Sequence, residues 1–152
     1  MRLTIASVGK FRGGPLEALY AEYASRLSWP LDLKEVEEKR PLKGEKRKSR
    51  EAELLMNAVP TGATVIALDE GGREMSSPDF AALLGRYADD GVQNLAFLIG
   101  GADGHSEQTL KSADRLLSLG AMTWPHLMVR GLLAEQLYRA ASILANHPYH
   151  RA

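Results

Sequence analysis

The chain has 152 residues, 45% of them apolar and 25% charged, the length and balance of one ordinary globular domain. Its formal net charge is zero, which excludes a strong overall field for holding nucleic acid, so any such binding must rest on a local patch. It has no cysteine, which excludes disulfides, zinc–thiolate sites and thiol nucleophiles. The opening MRLTIASVGKF is too short and interrupted for a signal peptide, and no apolar run approaches spanning length, so a cytoplasmic protein outside the membrane is expected.

In chain order, LTIASV (3–8) reads as a strand closed by Gly9 and the Gly13-Gly14-Pro15 turn. Pro15 suits the first turn of a helix, and LEALYAEYASRL (16–27) has helical spacing. After Trp29-Pro30, LDLKEV (31–36) alternates like a half-exposed strand. A charged segment follows, then EAELLMNAV (51–59) as helix. TVIALD (64–69) and NLAFLIG (94–100) are nearly unbroken apolar strands, the pattern of strands covered on both faces. Between them, residues 76–91 read as a helix capped by Ser77, with Pro78 at its first position. A short helix from about Ser106, a strand at 115–120 and a long helix from Pro125 to Asn146 complete the pattern. Strand and helix alternate throughout, so the expectation is a single α/β domain, 1–152, with a mainly parallel sheet of five to six strands and helices on both faces.

Five stretches carry candidate chemistry. FLIGGADG (97–104) ends a buried strand in glycines, where an open α/β sheet admits a ligand; the spacing fits neither a dinucleotide fingerprint nor a Walker loop, and a plain turn would look the same. LGAMTWPH (119–126) offers backbone groups plus Met122 and Trp124 for a flat ring, or is a core-packing turn. KRPLKGEKRKSR (39–50) holds seven Lys or Arg against one Glu, and would give phosphate contacts or a solvated loop. In the last helix, Arg130 falls within an apolar arc and needs either an intrachain ion pair or a ligand. Glu135 and Arg139 lie at i,i+4 in the favourable order, and the large apolar face suggests a homodimer. His147, Tyr149, His150 and Arg151 close the chain without the carboxylate a metal site would want, so no metal is expected; Tyr and His can stack on bases and Arg can hold a phosphate.

IGGADG (99–104), LSLGAMTWPHLMVRGLLAEQLYRA (117–140) and NHPYHR (146–151) together resemble the bacterial 23S rRNA pseudouridine N3-methyltransferases of the SPOUT superfamily. The similarity runs the length of the chain; one departure is Gly120, where serine is the more usual residue. The resemblance implies a SPOUT α/β domain with a C-terminal trefoil knot that holds S-adenosylmethionine at Leu68, Gly100, Leu119, Gly120, Ala121, Met122, Thr123 and Trp124. It implies a homodimer acting on 23S rRNA of the 70S ribosome, at position 1915 in helix 69. The reaction needs a base or an anion-stabilising group for the imide nitrogen; Arg130, His150, Tyr149 and His126 are the candidates. Arg151, Lys46, Arg47 and Lys48 are the expected RNA contacts. The rival readings are a SPOUT enzyme acting on another rRNA or tRNA nucleotide, and a non-enzymatic ribosome-binding protein.

Overall fold

The computed structural model describes residues 1–151, with Arg151 described by its backbone alone. These residues form strands β1 (Arg2–Val8), β2 (Leu31–Val36), β3 (Thr64–Glu74), β4 (Asn94–Ile99) and β5 (Arg115–Ser118). The helices are α1 (Pro15–Ala24), α2 (Gly44–Ala58), α3 (Ser77–Asp89), α4 (Glu107–Ser112) and α5 (His126–Leu144), followed by a 3-10 turn, Pro148–Arg151. The strands make one parallel sheet in the order β2-β1-β4-β3-β5.

The two-residue period of the strands splits the core in two. Leu3 and Ile5 of β1, Ile66 of β3, and Leu95 and Phe97 of β4 face one side, with Phe80 and Leu84 of α3 and Leu133 and Leu137 of α5. Ala6, Val8, Val65, Ala67 and Leu98 face the other, with Leu55 of α2. Both faces are covered, which explains the unbroken apolar run of β4.

Three elements differ from the sequence expectation. The basic run is not a loop: α2 starts at Gly44, so most of that run is helical. It is held by ion pairs rather than by an apolar stripe, with Arg47–Glu51, Lys48–Glu45 and Arg50–Glu53 all one helical turn apart. The cap of α3 is Ser76, whose hydroxyl accepts from the Asp79 N–H at 3.2 Å. Ser77 instead donates to Gln136 of α5 at 2.7 Å.

The third difference positions the site. β3 does not stop at Asp69 but continues to Glu74. Leu68 and Arg73 both pair with Leu117 of β5, so residues 69–72 form a bulge in that pairing. At Gly72 a Cβ would lie 2.8 Å from the Leu116 carbonyl carbon and the Leu117 nitrogen. Only a residue without a side chain fits so close to another backbone.

Candidate active site

In a parallel sheet all carboxyl ends point one way, and the connections there converge. The bulge after Leu68, the loop 100–105 after β4 and the loop 119–125 after β5 enclose a cavity of about 820 Å³. Leu68, Ile99, Leu117 and Val129 supply apolar wall, with Met122 and Trp124 at the rim. Met122 is 74% exposed and Trp124 41%. Three carboxylates line it as well: Asp69, Glu70 and Asp103.

Hydrogen bonds fix the walls. Thr123 donates to Glu70 at 2.7 Å, clasping the loop after β5 to the bulge in β3. The Ser118 hydroxyl accepts from the Gly120 N–H at 3.1 Å and donates to the Gly120 carbonyl at 3.0 Å. Gly120 itself adopts φ 111°, a conformation that side-chain-bearing residues rarely take. Gly100 and Gly101 are needed by the protein's own packing: a Cβ on Gly100 would meet the Gly104 backbone at 3.0 Å, and one on Gly101 would meet Val8 at 3.0 Å.

His105 is buried at the cavity wall with Nε2 3.2 Å from the Leu98 carbonyl. Burial lowers its pKa and favours the neutral ring. His126, at the first position of α5, also lines the cavity. Burial, then the neighbouring Arg130 guanidinium, lowers its pKa, which favours the neutral ring. Its Nε2 lies against Gly9, where a Cβ would come within 3.1 Å.

Arg130 is 0% exposed, and of the two options left open for it the structure shows the intrachain ion pair. Its Nε donates to Ser7 at 2.9 Å and Nη1 to Glu35 at 2.7 Å. Nη2 donates to the Val8 and Gly9 carbonyls at 3.0 and 2.7 Å, and the guanidinium sits 4.5 Å from the Phe11 ring centroid. Glu35 accepts in addition from the Phe11 N–H at 2.6 Å. Arg130 therefore staples the β1–α1 connection beside His126 and does not face the cavity within one chain.

Seven of the eight expected cofactor positions line the cavity: Leu68, Gly100, Leu119, Gly120, Met122, Thr123 and Trp124. Ala121 is exposed and does not. Tyr149 and His150 are elsewhere. Tyr149 donates to Glu135 at 3.0 Å, packs 4.6 Å from the Tyr138 ring and lies under Arg139. Burial, then hydrogen bonds with Tyr23 and Glu135, raises its hydroxyl pKa. His150 lines a separate hollow with Ser77, Gln136 and Arg139. The Arg151 side chain lies outside the described residues. Lys46 is exposed on α2, whereas Arg47 and Lys48 are engaged with Glu51 and Glu45. Among the described residues no group of three or more His, Cys, Asp or Glu could hold a metal ion.

The family model described as "Predicted SPOUT methyltransferase" matches residues 1–150. The chain belongs to the SPOUT methyltransferase family. Among its SPOUT relatives, a protein of Paramagnetospirillum magneticum named "Ribosomal RNA large subunit methyltransferase H" is 60% identical over 151 residues, covering 99% of each chain. A protein of the same name from Rhodospirillum centenum is 55% identical over 152 residues, covering 100% of both. In fold, the chain is similar to a "probable methylase family protein" from Haemophilus influenzae, with TM-score 0.56 at 14% identity over 95% of this chain and 68% of the other. This SPOUT chain is thus a methyltransferase by family, with the five-stranded parallel sheet described above.

Sequence reasoning missed the bulge 69–72, His105 and the Ser7–Glu35–Arg130 network. The first had a signal: LDEGGRE places two acids and two glycines directly after a buried strand. The network had none, because Glu35 and Ser7 are 95 and 123 residues away from Arg130.

Proposed function

We propose that this chain is an S-adenosylmethionine-dependent methyltransferase of large-subunit rRNA that modifies N3 of pseudouridine 1915, in helix 69 of 23S rRNA, within the assembled 70S ribosome of the cytoplasm. The observation that carries it is the cavity at the sheet's carboxyl end. Seven of the eight residues that the resemblance assigns to the cofactor line it, in a chain 60% identical to an rRNA methyltransferase by name. No helix among the described residues is long and apolar enough to cross a membrane.

The residues present fit the cofactor. Leu119, Met122 and Trp124 offer apolar surface to a flat ring, and Asp69, Glu70 and Asp103 suit an ammonium and ribose hydroxyls. When bound, S-adenosylmethionine supplies the methyl group on an electrophilic sulfonium. The trefoil knot implied by the resemblance belongs to this proposal.

The chain's own residues then have two tasks. Transfer must be in line, so the cavity walls position the base, and the Thr123–Glu70 clasp holds the loop that does so. The imide N3–H must also lose its proton. His126 is the base in this proposal: it lines the cavity, and its neutral ring can accept a proton. Arg130 positions it by holding Gly9 and the start of α5 together. Tyr149, His150 and Arg151 act at the cavity of a second subunit, where Tyr149 and His150 meet the target base and Arg151 the RNA. Lys46, Arg47 and Lys48 contribute to phosphate attraction. Exposed Met122, Trp124 and Leu144 are apolar surface consistent with a homodimer.

Mass spectrometry of 23S rRNA tests the reading. After incubating ribosomes that lack this methyl group with the protein and S-adenosylmethionine, one added methyl at pseudouridine 1915 is expected. A methyl elsewhere, or none, overturns it.

A further inference from the structure

The parallel sheet places a second concavity on the same edge as the first. Beyond the carboxyl ends of β1 and β2 lies a cleft of about 620 Å³. Lys10 and Arg12 enter it from the β1–α1 connection, Lys39 and Arg40 from the β2–α2 connection, and Arg47 from α2. Two carboxylates, Glu37 and Glu38, share it, so five cationic groups against two anionic ones leave a local excess of three. That excess stands out in a chain whose formal charge is zero.

The cleft is built rather than incidental. Glu38 is buried beneath it, its side chain 7% exposed. One carboxylate oxygen accepts from the Arg40 N–H at 2.9 Å and from Arg40 Nε at 3.0 Å, and the other accepts from Arg50 Nε at 2.9 Å. Glu38 therefore grips one edge of the Arg40 guanidinium, while the Arg40 side chain as a whole stays 64% exposed. Arg12 is 82% exposed and only loosely paired with Glu37, at 3.7 Å. Lys10 and Lys39 are exposed.

Two links join the cleft to the active-site cavity. Gly9, next to Lys10, lies against His126. Arg47 pairs at 3.3 Å with the buried Glu51, whose carboxylate lies against Gly101 of the cavity loop. The cleft sits over β2 and β1 and the cavity over β4, β3 and β5, so at about 4.8 Å per strand their centres are roughly 12 Å apart. A short stretch of RNA backbone spans that distance.

We infer that this cleft seats phosphates of the rRNA strand that delivers the target base. The inference rests on the rRNA reading above, and it moves the main phosphate-binding surface from Lys46 and Lys48 to Lys10, Arg12, Lys39 and Arg40. Seating a phosphodiester there fixes register without reading sequence, as backbone contacts do.

The test is the combined variant Lys10→Gln, Arg12→Gln, Lys39→Gln, in full-length protein with S-adenosylmethionine and ribosomes. All three side chains are exposed, so the melting temperature and cofactor affinity should match the wild type. The slope of log affinity for ribosomes against log salt should fall by roughly 2 to 3, at about 0.7–0.9 for each phosphate that is no longer neutralised. Wild-type binding with an unchanged slope in the variant overturns the inference and leaves the rRNA reading intact. Wild-type protein that neither binds nor methylates ribosomes overturns both. A photo-crosslinking residue, Lys39→p-benzoylphenylalanine, should capture rRNA; capture of a ribosomal protein instead overturns the inference.

Discussion

Arg130 is a full charge at zero exposure, which the fold tolerates only because every face of the guanidinium meets a partner. Replacing it with alanine would leave the Val8 and Gly9 carbonyls without these donors and Glu35 without its counter-charge. Breaking a buried pair this way costs about 3 kcal/mol, the lower end of the usual range, since Glu35 keeps some solvent. Arg130→Ala should therefore lower the unfolding free energy in urea by that amount. Arg130→Lys should recover part of it, keeping the charge but not the fork. A loss under about 1 kcal/mol would mean the network is not a structural staple. The need for a partner was legible, because an arginine interrupts an apolar arc at helical spacing. The partner's identity was not: Ser7 and Glu35 reach it only through the parallel pairing of β1 with β2 and the packing of α5 across the sheet.

Among elements, the apolar strands were legible because burial on both faces leaves an unbroken apolar run, and α5 because burial of one face imposes a helical period. The amino-terminal half of α2 was not, since its turns are tied by ion pairs and only Glu51 and Leu55 are buried. The end of β3 was misread for another reason. Acids and glycines normally end a strand, and here the strand bulges and goes on pairing with β5 because Gly72 lets it pass within touching distance of another backbone. Gly72→Ala should destabilise the protein by about 1–3 kcal/mol, since backbone cannot yield as a side chain can. It should also weaken cofactor affinity, because β5 leads directly into the loop 119–124. Gly71→Ala is the comparison: a Cβ there meets only the Asp69 carboxylate, at 3.1 Å, which can swing aside. Melting temperature and calorimetric titration of both variants would decide it. Equal behaviour of the two would remove Gly72 from its structural role.

At the scale of the whole molecule, the described tail residues Tyr149 and His150 do not meet the cavity of their own chain. Tyr149 is anchored on Glu135, nine residues along α5 from His126, and at about 1.5 Å per residue that is roughly 14 Å along the axis. A tail that serves the reaction must then serve a second subunit's cavity, with the symmetric pair giving two composite sites. Complementation tests this directly. His126→Ala keeps the tail and removes the proposed base; deletion of residues 147–152 leaves the cavity and removes the tail. Each alone should be inactive while binding S-adenosylmethionine. If the chain forms the proposed homodimer, mixing in equal amounts after reversible dissociation makes half the dimers heterodimers, each with one competent cavity of two, so about a quarter of wild-type activity should return. A tail acting on its own chain's cavity would restore nothing, because neither subunit would then hold both parts.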